Sequence, residues 1–249
     1  MARSAGRGCV PGARRVVLWM LAGAMLACSS PGSAPKAGKL SSYAPQHLLK
    51  SDFNRVAEAH QQQIFASLRR LAVKLYKRNP REWRKSGADS IDAAVARIFD
   101  APHHWRFASL GNRRDLDALR VALHPEFRGD RVQAFVVGLG SMVQTAFGDR
   151  DEFFMLDALD AQRLYNAARN VEIAAWKLAA ARDERGELLL LSNQPGDAVH
   201  PGANLSFERE FGRVIGSLDT LTDIVEEQTE RTVTRVVQNL ATAVFLPIP

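Results

Sequence analysis

The sequence predicts an all-α fold, an elongated helical bundle with a long helix at each end of its folded part. Apolar residues recur at steps of three and four along most of the chain from Gln46 onwards, which is the period of an amphipathic helix. Proline and glycine divide this region into segments of helical length. At most one short strand or hairpin is expected, near residues 187–192, where four leucines follow one another.

The first long helix is predicted to begin at Gln46 and to end at Asn79, because a residue before a proline avoids the helical region. Pro80 suits the first position of a new helix. One apolar stripe is expected along the first helix, formed by Leu49, Phe53, Val56, His60, Ile64, Leu68, Leu71 and Leu75. Shorter helices are predicted near residues 80–85, 90–99 and 113–123.

A strongly apolar helix is predicted over residues 131–147, with Asp130 as its N-cap. Its apolar run from Ala134 to Val143 is far shorter than the roughly 20 residues of a membrane span, so we expect a buried central helix. Gly138 and Gly140 would allow a neighbouring element to approach closely, at a helix-propensity cost of about 1 kcal/mol each.

Two further helical regions are predicted, the former over residues 149–184 and the latter over residues 206–244. A break near Asp157 would divide the former. The stripe of the former is Leu164, Ala168, Val171, Ala175 and Leu178. The inward face of the latter is Phe207, Phe211, Val214, Leu218, Leu221, Val225, Gln228, Thr232 and Val236. The apolar tail at 244–249 cannot be helical past Leu246, because of its prolines. It is expected to pack back on the domain; the alternative is that it offers a partner an extended segment.

The N-terminal segment combines three features in a fixed order. A basic stretch with four arginines and no acidic residue precedes an apolar stretch at 16–27, and small residues lead up to Cys28. This order is typical of a secretory signal, and about twelve apolar residues are too few for a transmembrane helix. The motif Met25-Leu26-Ala27-Cys28 resembles the lipobox of bacterial lipoproteins.

The resemblance to bacterial lipoproteins covers residues 1–28 and implies cleavage between Ala27 and Cys28, with lipid attached to the Cys28 thiol. Two or more acyl chains hold a protein stably at a bilayer. In this family an aspartate after the cysteine favours the inner membrane; here Ser29 follows it, so we expect the outer membrane, with the protein facing the periplasm. The rest of the chain resembles no characterised family.

Three parts are therefore expected: a signal peptide at 1–27, a lipidated N-terminus with a flexible tether at 28–45, and a single helical domain at 46–249. Four of the 33 basic residues and none of the 27 acidic residues lie in the signal, so the remainder carries a net charge of +2. This near balance excludes nucleic-acid binding driven by net charge. With Cys9 in the signal and Cys28 lipidated, no cysteine is left for a disulfide. No cofactor is predicted.

A group of seven residues forms a candidate surface for an anionic partner, here called the basic patch. The group lies in the second half of the first long helix and in the short helix that follows it. Its members are Lys74, Lys77, Arg78, Arg81, Trp83, Arg84 and Lys85. Cations interleaved with aromatic rings suit an acidic protein face or an anionic envelope polymer. Alternatively, the cations complement the dipole at a helix end, or pair with acidic residues of the last helix between Asp219 and Glu230.

A second candidate is a ligand pocket on the 149–184 helix, formed by Asn166, Arg169, Asn170 and Glu172. The same residues could instead form a buried network that fixes helix register, or face water. A third segment, around His103 and His104, is interpreted as a loop packed on Trp105, because adjacent histidines point about 100° apart on a helix and cannot clamp one ion. No metal ligand and no catalytic residue is assigned.

Together these features predict a lipid-anchored envelope lipoprotein with a non-enzymatic binding, scaffolding or assembly role. The expected partners are the membrane, through the lipid anchor, and an envelope protein or anionic envelope polymer, but not nucleic acid. The alternatives are a carrier of a small ligand and a hydrolase-type enzyme with Glu172 as acid or base. A concave pocket around Glu172 would favour the enzyme, and an empty apolar cavity between helices would favour the carrier.

Overall fold

The computed structural model describes residues 52–100, 102–154, 158–194, 202 and 204–248. The predicted signal peptide, the lipidation site and the tether lie outside the described residues. In the described part the all-α fold is confirmed, and its helices are α1 (Asp52–Arg78), α2 (Pro80–Lys85), α3 (Ile91–Phe99), α4 (Asp115–Ala122), α5 (Arg131–Ala146), α6 (Ala161–Ala180) and α7 (Ser206–Thr229). In place of the strand expected near residues 187–192, the described residues hold only isolated bridges, Arg182 with Leu188 and Gln194 with Asn204.

Helix α5 occupies the centre of the core, and fifteen of its sixteen residues are buried. Helices α1, α2, α3, α4 and α6 all pack against it, and α7 packs on α1 and α6. The buried apolar side chains of all these helices form one continuous cluster. Among the described residues, no helix combines the length and the apolar character that crossing a bilayer requires.

Two carboxylates cap the start of α5, although the sequence predicted only one of them. Asp130 accepts a hydrogen bond from the Gln133 amide at 2.9 Å, as expected for an N-cap. Glu82 of α2 accepts from the Arg131 amide at 2.7 Å. The Tyr76 hydroxyl donates to Asp130 at 2.8 Å, and burial raises the pKa of Asp130 to about 6. This buried polar network fixes where the central helix begins.

The glycines of α5 permit the close approaches that the sequence predicted. A Cβ atom at Gly138 would lie 2.8 Å from the backbone nitrogen of Leu119, so the absence of a side chain lets α4 lie directly on α5. A Cβ atom at Gly140 would overlap the ring of Trp105, which lies in the loop after α3. The central helix thus positions both α4 and this loop.

The buried face of α1 differs from the prediction in its first half. Ile64, Leu68, Leu71 and Leu75 are fully buried as expected. Before them, however, the buried positions are Asn54, Ala57 and Gln61, whereas Val56 is 39% exposed and Phe53 and His60 are only half-buried. The three-and-four spacing of buried positions thus continues through Asn54, Ala57 and Gln61. Gln61 can be buried because its side-chain amide donates to the Arg150 carbonyl at 2.7 Å.

The helix predicted from residue 149 begins only at Ala161. Gly148 and Asp149 both adopt left-handed backbone conformations, with φ of +72° and +56°, and these end the helical path after α5. Asp160 is the N-cap of α6 and accepts from the Arg163 amide at 3.1 Å. The predicted stripe of α6 is confirmed, since Leu164, Ala168, Val171, Ala175 and Leu178 are all buried.

The last helix is shorter than predicted, because α7 ends at Thr229 and not near residue 244. Glu230 is left-handed, with a φ of +53°. The following stretch is rich in β-branched residues, which have low helix propensity. Its backbone bonds instead to side chains: Val233 donates to Glu226, and Val236 donates to the Tyr165 hydroxyl at 3.1 Å. Thr232 and Val236 therefore do not belong to a helical face.

The irregular segments are held by amide side chains that both donate to and accept from one backbone residue. These pairs are Gln162 with Thr234, Asn170 with Leu246, Gln238 with Val244 and Asn79 with Leu191. The amide group thus replaces the peptide group of a neighbouring strand. The expected packing of the C-terminal tail is confirmed, because Phe245 and Ile248 pack against the core.

Substituting Gly138 by alanine should destabilise the protein by about 1–3 kcal/mol, because the new methyl group would collide with the α4 backbone at Leu119. The matched control is Gly212→Ala in α7, where a Cβ atom meets nothing within 4 Å. Gly212→Ala should stabilise by about 0.5–1 kcal/mol, the helix-propensity gain alone. Urea unfolding would measure both changes, and equal effects of the two substitutions would contradict the packing of α4 on α5.

Candidate functional site

A cleft of about 760 Å³ lies between α1, the end of α3 with its following loop, and the end of α5 with its following turn. Its lining residues come from distant parts of the chain: Phe65, Ala66, Arg69, Ile98, Phe99, Pro102, His103, His104, Trp105, Arg114, Gln144, Asp149 and Asp151. The volume is in the range of ligand pockets in proteins, about 300–1,000 Å³.

One wall of the cleft is aromatic. The Phe65 ring stacks on the Trp105 ring with centroids 5.7 Å apart and planes inclined by 20°, and Phe99 meets Trp105 edge-on at 5.8 Å. The indole of Trp105 rests over Gly140, so the buried central helix sets the depth of this wall. Three rings that brace one another form a rigid apolar surface on which a flat ligand group can stack.

The turn that carries Trp105 is strained. His104 and Trp105 have φ values of +48° and +61°, which non-glycine residues adopt at a cost of about 1–2 kcal/mol each. His103 holds the turn, because its Nδ1 accepts from the Trp105 amide at 2.8 Å and its Nε2 lies 2.9 Å from the Ile98 carbonyl oxygen. These two bonds define the tautomer, with the proton on Nε2. Backbone strain of this kind clusters at functional sites.

The opposite wall is polar. The Arg114 guanidinium donates to Asp149 at 2.5 Å and to the Thr145 hydroxyl at 3.2 Å. The Gln144 amide donates to Asp151 at 2.9 Å and to the Arg150 carbonyl at 3.0 Å. Guanidinium, carboxylate and amide groups in this wall offer both donors and acceptors to a ligand. The Nε of Arg114 is buried and bonds to no group in the described part of the chain.

A second arginine closes the rim of the cleft. Arg69 forms two hydrogen bonds with Asp100, at 2.5 and 2.8 Å, and these lower the pKa of Asp100. The guanidinium also lies 5.6 Å from the centroid of the Phe99 ring, within the range of a cation–π contact. Arg69 therefore ties α1 to the end of α3 and keeps the two sides of the aromatic wall together.

The cleft thus offers a small molecule a flat apolar surface at Trp105 and hydrogen-bonding groups at Arg114 and Gln144. Both nitrogens of His103 are engaged with the backbone, so this histidine is held in place and is not available as a general base. In the described residues, no three histidine, cysteine, aspartate or glutamate side chains lie close enough together to hold a metal ion.

The residues of the basic patch lie at the end of α1 and on α2, as the sequence suggested. Lys74 bonds to Glu210 of α7 at 3.1 Å and Lys85 to Glu82 at 2.6 Å. The partner on α7 is thus Glu210, not an acidic residue between Asp219 and Glu230. The hydrogen bonds from Arg70 and Lys74 outweigh burial and lower the pKa of Glu210.

The remaining members of the basic patch are more exposed. Arg84 lies over the Trp83 ring at 5.1 Å, and Arg78 donates to Gln194 at 2.7 Å. Lys77 and Arg81 are exposed and form no ion pair with the described residues. The use of this patch by an anionic partner stays a prediction.

The predicted pocket residues on α6 face the C-terminal segment of the chain. Asn166 donates to the Pro247 carbonyl at 2.8 Å, and Asn170 pairs with the Leu246 backbone in both directions, at 2.6 and 2.7 Å. Two of the four residues therefore contribute to a network that holds the fold together, which was one of the alternatives. A ligand pocket among them stays a prediction.

The other two predicted pocket residues form an ion-pair cluster. Arg169 bonds to Asp219 at 2.8 Å and to Glu172 at 3.1 Å. Burial raises the pKa of Glu172, and the Arg169 charge opposes that rise. The side chain of Glu172 is 31% exposed and lines none of the four cavities described for this chain. The geometry does not favour Glu172 as acid or base.

Sequence reasoning singled out the loop of His103 and Trp105 but missed the rest of the cleft. Phe65 and Arg69 lie one turn apart on α1, outside the predicted apolar stripe. A large aromatic residue outside such a stripe indicates a candidate binding surface, and Phe65 is one. The polar wall gave no local signal, because Arg114 and Asp149 meet only after α4 has packed along α5.

Comparisons with known proteins add no identification. No protein-family model matches this chain, and it matches no curated protein and no solved structure. Its function is therefore inferred from the sequence and from the geometry of the site.

Proposed function

We propose that this protein is a lipid-anchored lipoprotein of the bacterial envelope whose helical domain binds a small ligand in the aromatic cleft without converting it. The observation that carries the binding role is the cleft itself. A braced aromatic wall of Phe65, Phe99 and Trp105 faces a wall of hydrogen-bonding groups across a space of about 760 Å³.

The state of the polar groups in the cleft supports binding over catalysis. Three of the four histidine and aspartate side chains that line the cleft are already committed: His103 to the backbone, Asp149 to Arg114, and Asp151 to Gln144. The fourth, His104, is exposed. Groups fixed in this way give a ligand its orientation, since their directions are set before it arrives. A general acid or base must instead be able to exchange a proton with the substrate.

The location is supported by the sequence of residues 1–28. The lipobox-type motif Met25-Leu26-Ala27-Cys28 follows a basic and then an apolar stretch, and Ser29 favours the outer membrane over the inner. The tether at 28–45 would keep the helical domain close to the membrane on the periplasmic side. An envelope protein or anionic polymer that contacts the basic patch would be a further partner of the anchored domain.

The lipid anchor predicts that a fatty-acid analogue supplied to bacteria expressing the full chain will label the protein through Cys28. Cys28→Ala should abolish the label, whereas Cys9→Ala, the matched control at the other cysteine of the chain, should leave it unchanged. Label would be measured per amount of protein on the same blot. Equal labelling of wild type and Cys28→Ala would contradict the anchor.

The cleft predicts saturable binding of a flat aromatic carboxylate, and indoleacetate is a suitable probe for saturation-transfer NMR and calorimetry on the full-length chain. Trp105→Ala should weaken binding about tenfold or more, because it removes the centre of the stacking wall. Trp105→Phe should retain most of the affinity.

The matched control for the cleft is Trp83→Phe, at a half-buried tryptophan on α2 outside the cleft. This variant should bind indoleacetate like the wild type. Thermal unfolding would confirm that each variant is folded. Absence of saturable binding to the wild type, or equal affinity of wild type and Trp105→Ala, would contradict the cleft as the ligand site.

A further inference from the structure

A second cavity, separate from the aromatic cleft, lies between the turn after α5, the start of α6 and the chain that follows α7. Its volume is about 530 Å³. Three arginines line it, Arg150, Arg163 and Arg231, against a single described acidic residue, Asp160. Asp160 is engaged as the N-cap of α6, where it accepts from the Arg163 amide. Among the described lining residues, arginines therefore outnumber acidic side chains.

Two of these arginines have guanidinium groups that no other described group satisfies. Within the described part of the chain, the Arg163 and Arg231 side chains form neither a hydrogen bond nor an ion pair, and the Nε of Arg163 is buried. Other half-buried arginines of this chain are paired, as Arg114 is with Asp149 and Arg169 with Asp219. A buried donor without a partner carries an uncompensated desolvation cost, which an anion in the cavity would recover.

The turn after α5 separates this cavity from the cleft. Gly148 and Arg150 line the cavity, whereas Asp149 and Asp151 line the cleft. Gly148 and Asp149 both adopt left-handed backbone conformations in this turn. The acidic side chains thus face the cleft and the basic side chain faces the cavity.

We infer that this cavity is an anion site for a phosphate group, either free or as a phosphate ester. The planar guanidinium groups of Arg163 and Arg231 match phosphate oxygens with paired hydrogen bonds. The volume admits a small phosphorylated molecule or a lipid headgroup in addition to the phosphate itself. This inference does not depend on the ligand of the cleft or on the lipid anchor.

The test is calorimetric titration of the full-length chain with inorganic phosphate and with glycerol phosphate, in a buffer free of other multivalent anions. Arg231→Gln should weaken binding about tenfold, since it removes the charge-assisted hydrogen bonds from Arg231 to the phosphate. Arg231 is exposed and forms no hydrogen bond or ion pair with the described residues, so this substitution should leave the fold intact. Arg163→Gln should have the same effect. If Arg163→Gln proves unstable, Arg231→Gln alone decides the test.

Two control variants distinguish binding in this cavity from diffuse charge attraction and from binding in the cleft. Arg209→Gln removes an exposed arginine in the first turn of α7, at the opposite end of that helix from the cavity, and should leave phosphate binding unchanged. Arg69→Gln removes an arginine of the cleft and should also have no effect. Tighter binding of glycerol phosphate than of inorganic phosphate would identify an ester or headgroup, and the reverse would identify free phosphate.

The inference is overturned if the wild type shows no saturable binding of either probe up to about 10 mM. It is overturned as well if Arg209→Gln weakens binding as much as Arg231→Gln, which would show diffuse charge attraction, or if only Arg69→Gln weakens it, which would place the anion in the cleft.

Discussion

The burial of α5 on all sides is the constraint on which the rest of the structure depends. A helix with one apolar stripe needs one neighbour, but a helix that is apolar all round must be enclosed. Helices α1, α2, α3, α4 and α6 and the loop of Trp105 provide this enclosure. Gly138 lets α4 come close, and Gly140 lets the loop of Trp105 come close. The aromatic cleft is a consequence of this enclosure, because its indole wall rests on α5 and its polar wall begins at Gln144 near the end of the same helix.

Enclosing one helix with others leaves the connecting segments without a sheet in which to satisfy their backbone groups. Amide side chains do this instead, as Asn170 does for Leu246 and Gln162 for Thr234. Each such side chain contributes a donor and an acceptor in the geometry of a peptide group. Polar residues on the inner face of a helix can therefore serve the fold itself. The sequence pattern of α6 is compatible with both this role and a ligand pocket, which is why the pattern alone could not distinguish them.

The sequence predicted correctly those helices whose position depends only on neighbouring residues. The apolar run of α5, its cap at Asp130 and the stripe of α6 follow from residue periodicity and capping chemistry, and all three are confirmed. The predicted end of the last helix was wrong, because the apolar periodicity continues past Thr229, where α7 ends. The β-branched residues beyond Thr229 have low helix propensity, and their backbone bonds to α6 instead, as Val236 does to the Tyr165 hydroxyl. The cleft could not be predicted, because residues from α1, α3, α5 and two loops meet only once the bundle has formed.

The turn after α5 connects this architecture with both candidate sites, since it lines the aromatic cleft and the arginine-lined cavity. Its position is fixed by the end of the central helix, so the stability of α5 determines the geometry of both sites. Native-state hydrogen exchange of the α5 amides tests this dependence most directly. We expect amides between Ala134 and Val143 to exchange only through global unfolding, with the free energy that denaturant unfolding gives. Exchange of these amides through local opening, at a lower free energy than amides of α7, would contradict the central position of α5.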